Sequence, residues 1–190
     1  MKLRVVIVGI PGAGKTTIVE MLHKMLEGSR LVTFGTVMLE EGMKLGLVKN
    51  RDELRKLPVE KQRELQSHTA TTIARMEQNV LLVDTHLFIR TKEGFWPGLP
   101  FDVVRALKPT HLVLVEARGE EIVVRRSADK TRYRDPATLE DLLAEMQLAR
   151  SLLTVSSTLT GAPMMIVTNS DGKAEAVASE IAAVVREAFS

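Results

Sequence analysis

Eight residues near the start of the chain constrain it most: Gly9-Ile10-Pro11-Gly12-Ala13-Gly14-Lys15-Thr16. They match G-x-x-x-x-G-K-[ST], a pattern that average glycine usage would produce by chance in under about 1% of chains this long. The apolar run Leu3–Gly9 before it reads as a strand buried on both faces. Residues 15–26 after it read as a helix, with Ile18, Val19, Leu22, Met25 and Leu26 at helical spacing. Between strand and helix, glycines let successive backbone N–H groups form an anion nest, and the helix dipole adds partial positive charge. Lys15 is then the residue to reach β- and γ-phosphates, and the Thr16 hydroxyl the ligand for Mg²⁺. Glycines at 9, 12 and 14 do not fit the dinucleotide spacing G-x-G-x-x-G.

The rest of the chain alternates strand and helix. Strands are predicted at 30–34, 80–84, 111–116 and 163–168. Helices are predicted at 36–45, 51–57, 58–78, 101–107, 120–127, 138–160 and 172–189. Residues 85–100 read as a long loop and 128–136 as a charged loop. Thr138 with Asp141 resembles a capping box in which Asp replaces the usual Glu. This order predicts one α/β domain over residues 1–190, with a mostly parallel sheet and right-handed crossovers.

Composition removes several function classes. Cysteine is absent, so a disulfide framework, a Cys-ligated metal and a thiol nucleophile are excluded. No apolar run reaches membrane-spanning length of about 18 residues, and the default compartment is the cytoplasm. A net charge of +2 and 4% aromatics do not suit a protein that coats or stacks on nucleic acid. The small net charge hides an asymmetry. Residues 1–134 hold 23 basic and 16 acidic residues, whereas 135–190 hold 3 and 8. The excess positive charge therefore sits on the side of the phosphate loop.

Two further features bear on chemistry. Asp84 ends the apolar strand Val80-Leu81-Leu82-Val83-Asp84, where a carboxylate faces the ligand crevice; it reads as support of Mg²⁺ through water, with a helix or turn cap as the structural alternative. Arg125, Arg126, Lys130, Arg132 and Arg134 fall within ten residues, opposed only by Asp129. They read either as a closing lid that supplies arginines and excludes water or as a solvated basic loop. An alcohol acceptor needs a carboxylate base, whereas a nucleotide acceptor is already an anion and needs dispersed cations. Three functions follow: a nucleoside-monophosphate kinase, a kinase of a small hydroxyl substrate with Asp84 as base, or a regulatory ATPase.

The phosphate loop, Leu82-Val83-Asp84-Thr85-His86, Ile89-Arg90-Thr91 and Pro97-Gly98-Leu99-Pro100 together resemble the archaeal type of adenylate kinase. So do Asn50-Arg51-Asp52-Glu53-Leu54-Arg55-Lys56-Leu57, Val59-Glu60-Lys61-Gln62 and Thr131-Arg132-Tyr133-Arg134. The resemblance spans nearly the whole chain. It implies the reaction ATP + AMP ⇌ 2 ADP with Mg²⁺, a P-loop NTPase three-layer fold with sheet order 2-3-1-4-5, a short lid at 126–137, acceptor-side helices at 36–78, and a homotrimer. It also implies roles. Gly9, Ile10, Pro11, Gly12, Ala13, Gly14, Lys15, Thr16 and Thr17 hold the ATP phosphates. Arg125, with Arg126 as the neighbouring alternative, contacts ATP; Arg132 and Arg134 close over the phosphates; Arg150 reaches both nucleotides. The backbone after the fifth strand, from Asn169 to Gly172, meets the adenine.

On the acceptor side the resemblance gives Arg90 to the AMP phosphate. The bacterial pattern carries an arginine near the position of Leu39, and Arg51 or Arg55 replaces it here. His86 follows Asp84 in the crevice and is a further AMP-side candidate. His23, His68 and His111 have no metal-ligand spacing and read as structural. Trp96 reads as packing, with a place beside the AMP adenine or at a subunit contact as the alternatives.

Overall fold

The computed structural model describes residues 2–91, 94–128 and 138–188. Its centre is a parallel sheet of β1 (Leu3–Gly9), β2 (Ser29–Thr33), β3 (Val80–Asp84), β6 (His111–Glu116) and β7 (Met164–Thr168), in the order β2-β3-β1-β6-β7. β1 lies in the middle and every one of its residues is buried, as its unbroken apolar run requires. Its register sets Ile7 beside Asp84 and Gly9 beside Val115, so the phosphate loop leaves the sheet between the ends of β3 and β6.

Right-handed crossovers put α1 (Lys15–Met25) and α8 (Ala174–Glu187) on one face, where they pack together. The other face carries α2 (Phe34–Lys44), α3 (Arg51–Lys56), α4 (Val59–Ala74), α5 (Phe101–Leu107), α6 (Gly119–Ala128) and α7 (Leu139–Thr160). The capping box is present at the head of α7: Thr138 Oγ1 accepts from the Asp141 amide at 3.1 Å, and Asp141 accepts from the Thr138 amide at 3.0 Å. Gly161, at φ 71°, ends that helix in the left-handed conformation. No described helix is long and apolar enough to cross a membrane.

Three expectations change. The predicted loop 85–100 contains an antiparallel hairpin, β4 (Phe88–Thr91) and β5 (Gly94–Pro97), outside the main sheet. These two strands shift the last labels of the expected order 2-3-1-4-5 to β6 and β7. Phe34 begins α2 instead of ending β2, because its ring is buried in the core. α4 stops at Ala74 instead of continuing to 78. Arg4 explains the early stop: its guanidinium, buried near the start of the central strand, donates to the Met76 and Gln78 carbonyls at 2.6 and 2.9 Å. Those carbonyls are satisfied by a side chain and need no further helical turn.

Candidate active site

The loop between β1 and α1 has the geometry of an anion nest. Gly12 and Gly14 take φ of 91° and 81°, values that L side chains rarely adopt. Three loop carbonyls are turned outward onto side chains. Pro11 O accepts from Arg126 Nε at 2.8 Å, Gly12 O from Arg125 Nη1 at 3.5 Å, and Ala13 O from Asn169 Nδ2 at 2.9 Å. Carbonyls fastened onto side chains are turned away from an anion, and the Ala13 amide closes the loop on the Ile10 carbonyl at 3.2 Å. α1 has no side-chain cap and no acidic residue in its first turn, so its positive end is not offset from within the helix.

Lys15 is buried, with 8% of its side chain exposed, and ion-pairs with Asp84 at the end of β3. Thr16 and Thr17 are exposed on the first turn of α1. A divalent cation on a nucleotide takes one or two protein oxygens, with phosphate and water completing the octahedron. Thr16 and Asp84 offer hard oxygen donors beside the loop and fit Mg²⁺ by donor chemistry. No group of three His, Asp or Glu among the described residues forms a separate metal site.

The arginines are placed as follows. Arg125 donates to Asp171 Oδ1 at 2.6 Å and to the Asn169 carbonyl at 3.0 Å, so it staples the loop after β7 to the phosphate loop. Arg126 joins Pro11 to Glu145, whose Oε2 lies 3.0 Å from Arg126 Nη2. Arg90, on the hairpin, meets the other oxygen of Glu145 at 3.3 Å and stands 5.9 Å from the Phe95 ring. Arg150 was expected to reach both nucleotides. Here it forms a bidentate pair with Glu116 at 2.8 and 2.6 Å, and those hydrogen bonds hold its guanidinium above its ordinary value. Arg132 and Arg134 lie outside the described residues.

The acceptor side is looser. Arg51, at the start of α3, donates to Thr36 Oγ1 at 3.0 Å, reaching across to the first turn of α2. Arg55 is exposed and 3.9 Å from Asp52. His86 is exposed at the foot of the hairpin, and its carbonyl packs so closely on Gly98 that a Cβ there would collide with it. Leu87 and Phe88 line a narrow crevice together with Gly9, Ile10, Pro11 and Ala149, so the hairpin borders the phosphate loop directly.

Sequence reasoning missed the carboxylates that organise these arginines. Glu116 ends an apolar strand just as Asp84 does, and the same signal could have found it. Glu145 shares the buried face of α7 with Leu142, Ala149 and Leu153, and an acidic residue at an apolar position was the available sign. The adenine-side expectation for Asn169 concerned its backbone. Its side chain proves to be a strut of the phosphate loop.

Comparison with known proteins bears on the family. Residues 8–143 match the family described as an AAA domain. The adenylate kinase of Methanothermobacter thermautotrophicus is 44% identical over 182 residues, covering 95% of this chain and 98% of the relative. That of Methanocaldococcus jannaschii is 41% identical, covering 96% and 97%. Among solved structures, shikimate kinase from Bacteroides thetaiotaomicron aligns with a TM-score of 0.66 at 14% identity, over 97% of this chain and 98% of that one. Thymidylate kinase from Candida albicans aligns at 0.61 with 12% identity, over 99% and 92%. These two likenesses show a shared P-loop kinase fold, while the near full-length identity is specific: the chain belongs to the adenylate kinase family.

Proposed function

We infer that this chain is an adenylate kinase, a phosphotransferase that moves the terminal phosphoryl group of ATP to AMP and forms two ADP. The observation that supports this most is the convergence of cations from both sides of the phosphate loop. Lys15 and Arg126 come from the donor side, and Arg90 comes from the hairpin. Two polyphosphates side by side need that dispersed positive charge, and the acceptor, already an anion, needs no base. Asp84 engages Lys15, which suits a supporting carboxylate better than a base aimed at an alcohol.

In this mechanism the loop amides and Lys15 bind the ATP phosphates, and Arg125 or Arg126 contacts ATP. Arg51 and Arg90 hold the acceptor phosphate in line. Lys15 and the arginines offset the charge that spreads over the transferred group. Mg²⁺, when bound, neutralises charge on the β- and γ-phosphates; Thr16 and, through water, Asp84 would hold it. Arg132 and Arg134, from the lid expected at 126–137, whose first three residues complete α6, close over the phosphates and exclude water, and Arg150, released from Glu116, reaches both nucleotides. Residues 36–78 form the acceptor side of this single domain, and Arg55 and His86 lie at its margin. We further propose a cytoplasmic, archaeal-type homotrimer. Met164 and Ile166, 44% and 43% exposed on the edge strand β7, favour a subunit contact.

The test is an acceptor panel that follows ADP formation from ATP and Mg²⁺ with AMP, CMP, UMP, GMP and shikimate. The expected outcome is rapid turnover with AMP and negligible hydrolysis without an acceptor. No turnover with AMP above background overturns the reading.

A further inference from the structure

The donor and acceptor sides of the crevice share one carboxylate. Glu145 lies on the core-facing side of α7 with only 5% of its side chain exposed. Each oxygen serves a different arginine: Oε2 accepts from Arg126 Nη2 at 3.0 Å and Oε1 accepts from Arg90 Nη1 at 3.3 Å. Arg126 also donates from Nε to the Pro11 carbonyl at 2.8 Å. A continuous polar chain therefore runs from the phosphate loop through α6 and α7 to the hairpin. Asp141, one turn earlier on α7, stands 4.0 Å from Arg90 and adds a second, weaker acidic neighbour.

This arrangement has more structure than charge balance requires. For charge alone one guanidinium suffices, and Arg126, 13% exposed, is already there, although it reaches only Oε2. Arg90 is 54% exposed and comes from a separate hairpin, yet it reaches the same carboxylate. A guanidinium carries five donors, so one hydrogen bond to Glu145 does not exhaust those that could meet a phosphate.

We propose that Glu145 is a positioning residue that yokes the donor-side Arg126 to the acceptor-side Arg90, so that each nucleotide site sets the arginine of the other. This inference rests on the adenylate kinase reading and goes beyond it, by naming the group that couples its two subsites. Glu145 touches neither nucleotide in this role. It fixes the planes of the two guanidiniums that do, and it gives way when phosphate oxygens replace its own.

The test uses the full chain and steady-state kinetics with each nucleotide varied in turn. Glu145→Gln is expected to raise KM for AMP and to lower kcat, each about tenfold, the loss of one charge-assisted hydrogen bond. In the Arg90→Ala background the same substitution is expected to change KM for AMP by less than about twofold, since its route to AMP is gone. Glu145→Asp retains the buried charge, and so the fold, but is too short to span both arginines. It is expected to keep the melting temperature and still raise KM for AMP. Wild-type kinetics in Glu145→Asp, or effects of Glu145→Gln and Arg90→Ala that simply multiply, would show a carboxylate needed only for charge balance and overturn the proposal. Unaltered protein that is inert towards AMP would instead defeat the adenylate kinase reading on which the proposal stands.

Discussion

The donor and acceptor sides of the crevice are held with different firmness. Lys15, Arg125, Arg126 and Arg150 each engage a carboxylate of this chain, Asp84, Asp171, Glu145 and Glu116 respectively. Arg125 and Arg126 also donate to loop carbonyls, and Asn169 ties down a third. On the acceptor side Arg51 donates to the Thr36 hydroxyl, Arg55 is exposed, and Arg90, half exposed, only shares the carboxylate that Arg126 already holds. The difference follows from what each side binds. A nest of amides works only in one backbone geometry, so the chain must fix it beforehand. An acceptor phosphate can be gripped by long side chains that order themselves on binding, at an entropic cost.

The largest expected effect attacks the firm side. Lys15→Met should lower kcat by about a thousandfold, the scale seen when a group aimed at developing charge is removed. Circular dichroism should stay unchanged, because the apolar core packed around β1 does not depend on the Lys15–Asp84 pair. A variant that keeps substantial turnover would show that the loop amides alone carry the donor site. The next effect tests the loose side. Arg51→Ala should raise KM for AMP about tenfold, while Arg55→Ala stays within about twofold, since a charge-assisted contact carries a tenfold effect and a solvated one little. Equal effects of the two substitutions would erase the distinction between the arginine that reaches Thr36 and the one that does not.

The same contrast governs what could be read from the sequence. The phosphate loop was legible because its backbone demands glycine where φ is positive, and because Leu3–Gly9 is too continuously apolar to be anything but a central strand. The parallel sheet followed from strand and helix alternating in order. The hairpin at Phe88–Thr91 and Gly94–Pro97 was missed because Ile89 and Phe95 are half exposed and obey no clean alternation. Among the described arginines, residue type marked the phosphate candidates, but their partners were invisible. Glu116 and Glu145 lie 34 and 19 residues from Arg150 and Arg126, and only the fold brings them together. The choice between Arg51 and Arg55 was likewise open, because it depends on which side of α3 faces Thr36.

The smallest expected effect concerns how the acceptor-side helices hold to each other. Glu41, buried on α2, accepts from Lys44 at 2.7 Å and meets His68 on α4 at 2.8 Å. The Lys44 hydrogen bond first, and the His68 contact second, hold its carboxyl below the ordinary value of 4.5. A carboxylate with a depressed native value binds fewer protons folded than unfolded. Its contribution is therefore full above the unfolded value of about 4.5 and is lost as pH falls through the lower native one. Glu41→Gln removes this linkage. Urea midpoints followed from neutral to acid pH should show the unaltered chain losing stability more steeply below pH 4.5 than the variant does. The opening should be local to α2 and α4, and amide exchange there should quicken before exchange in β1 and β3 does. Simultaneous quickening throughout would mean that the acceptor side is as firmly built as the donor side, and the contrast between them would end at the arginines.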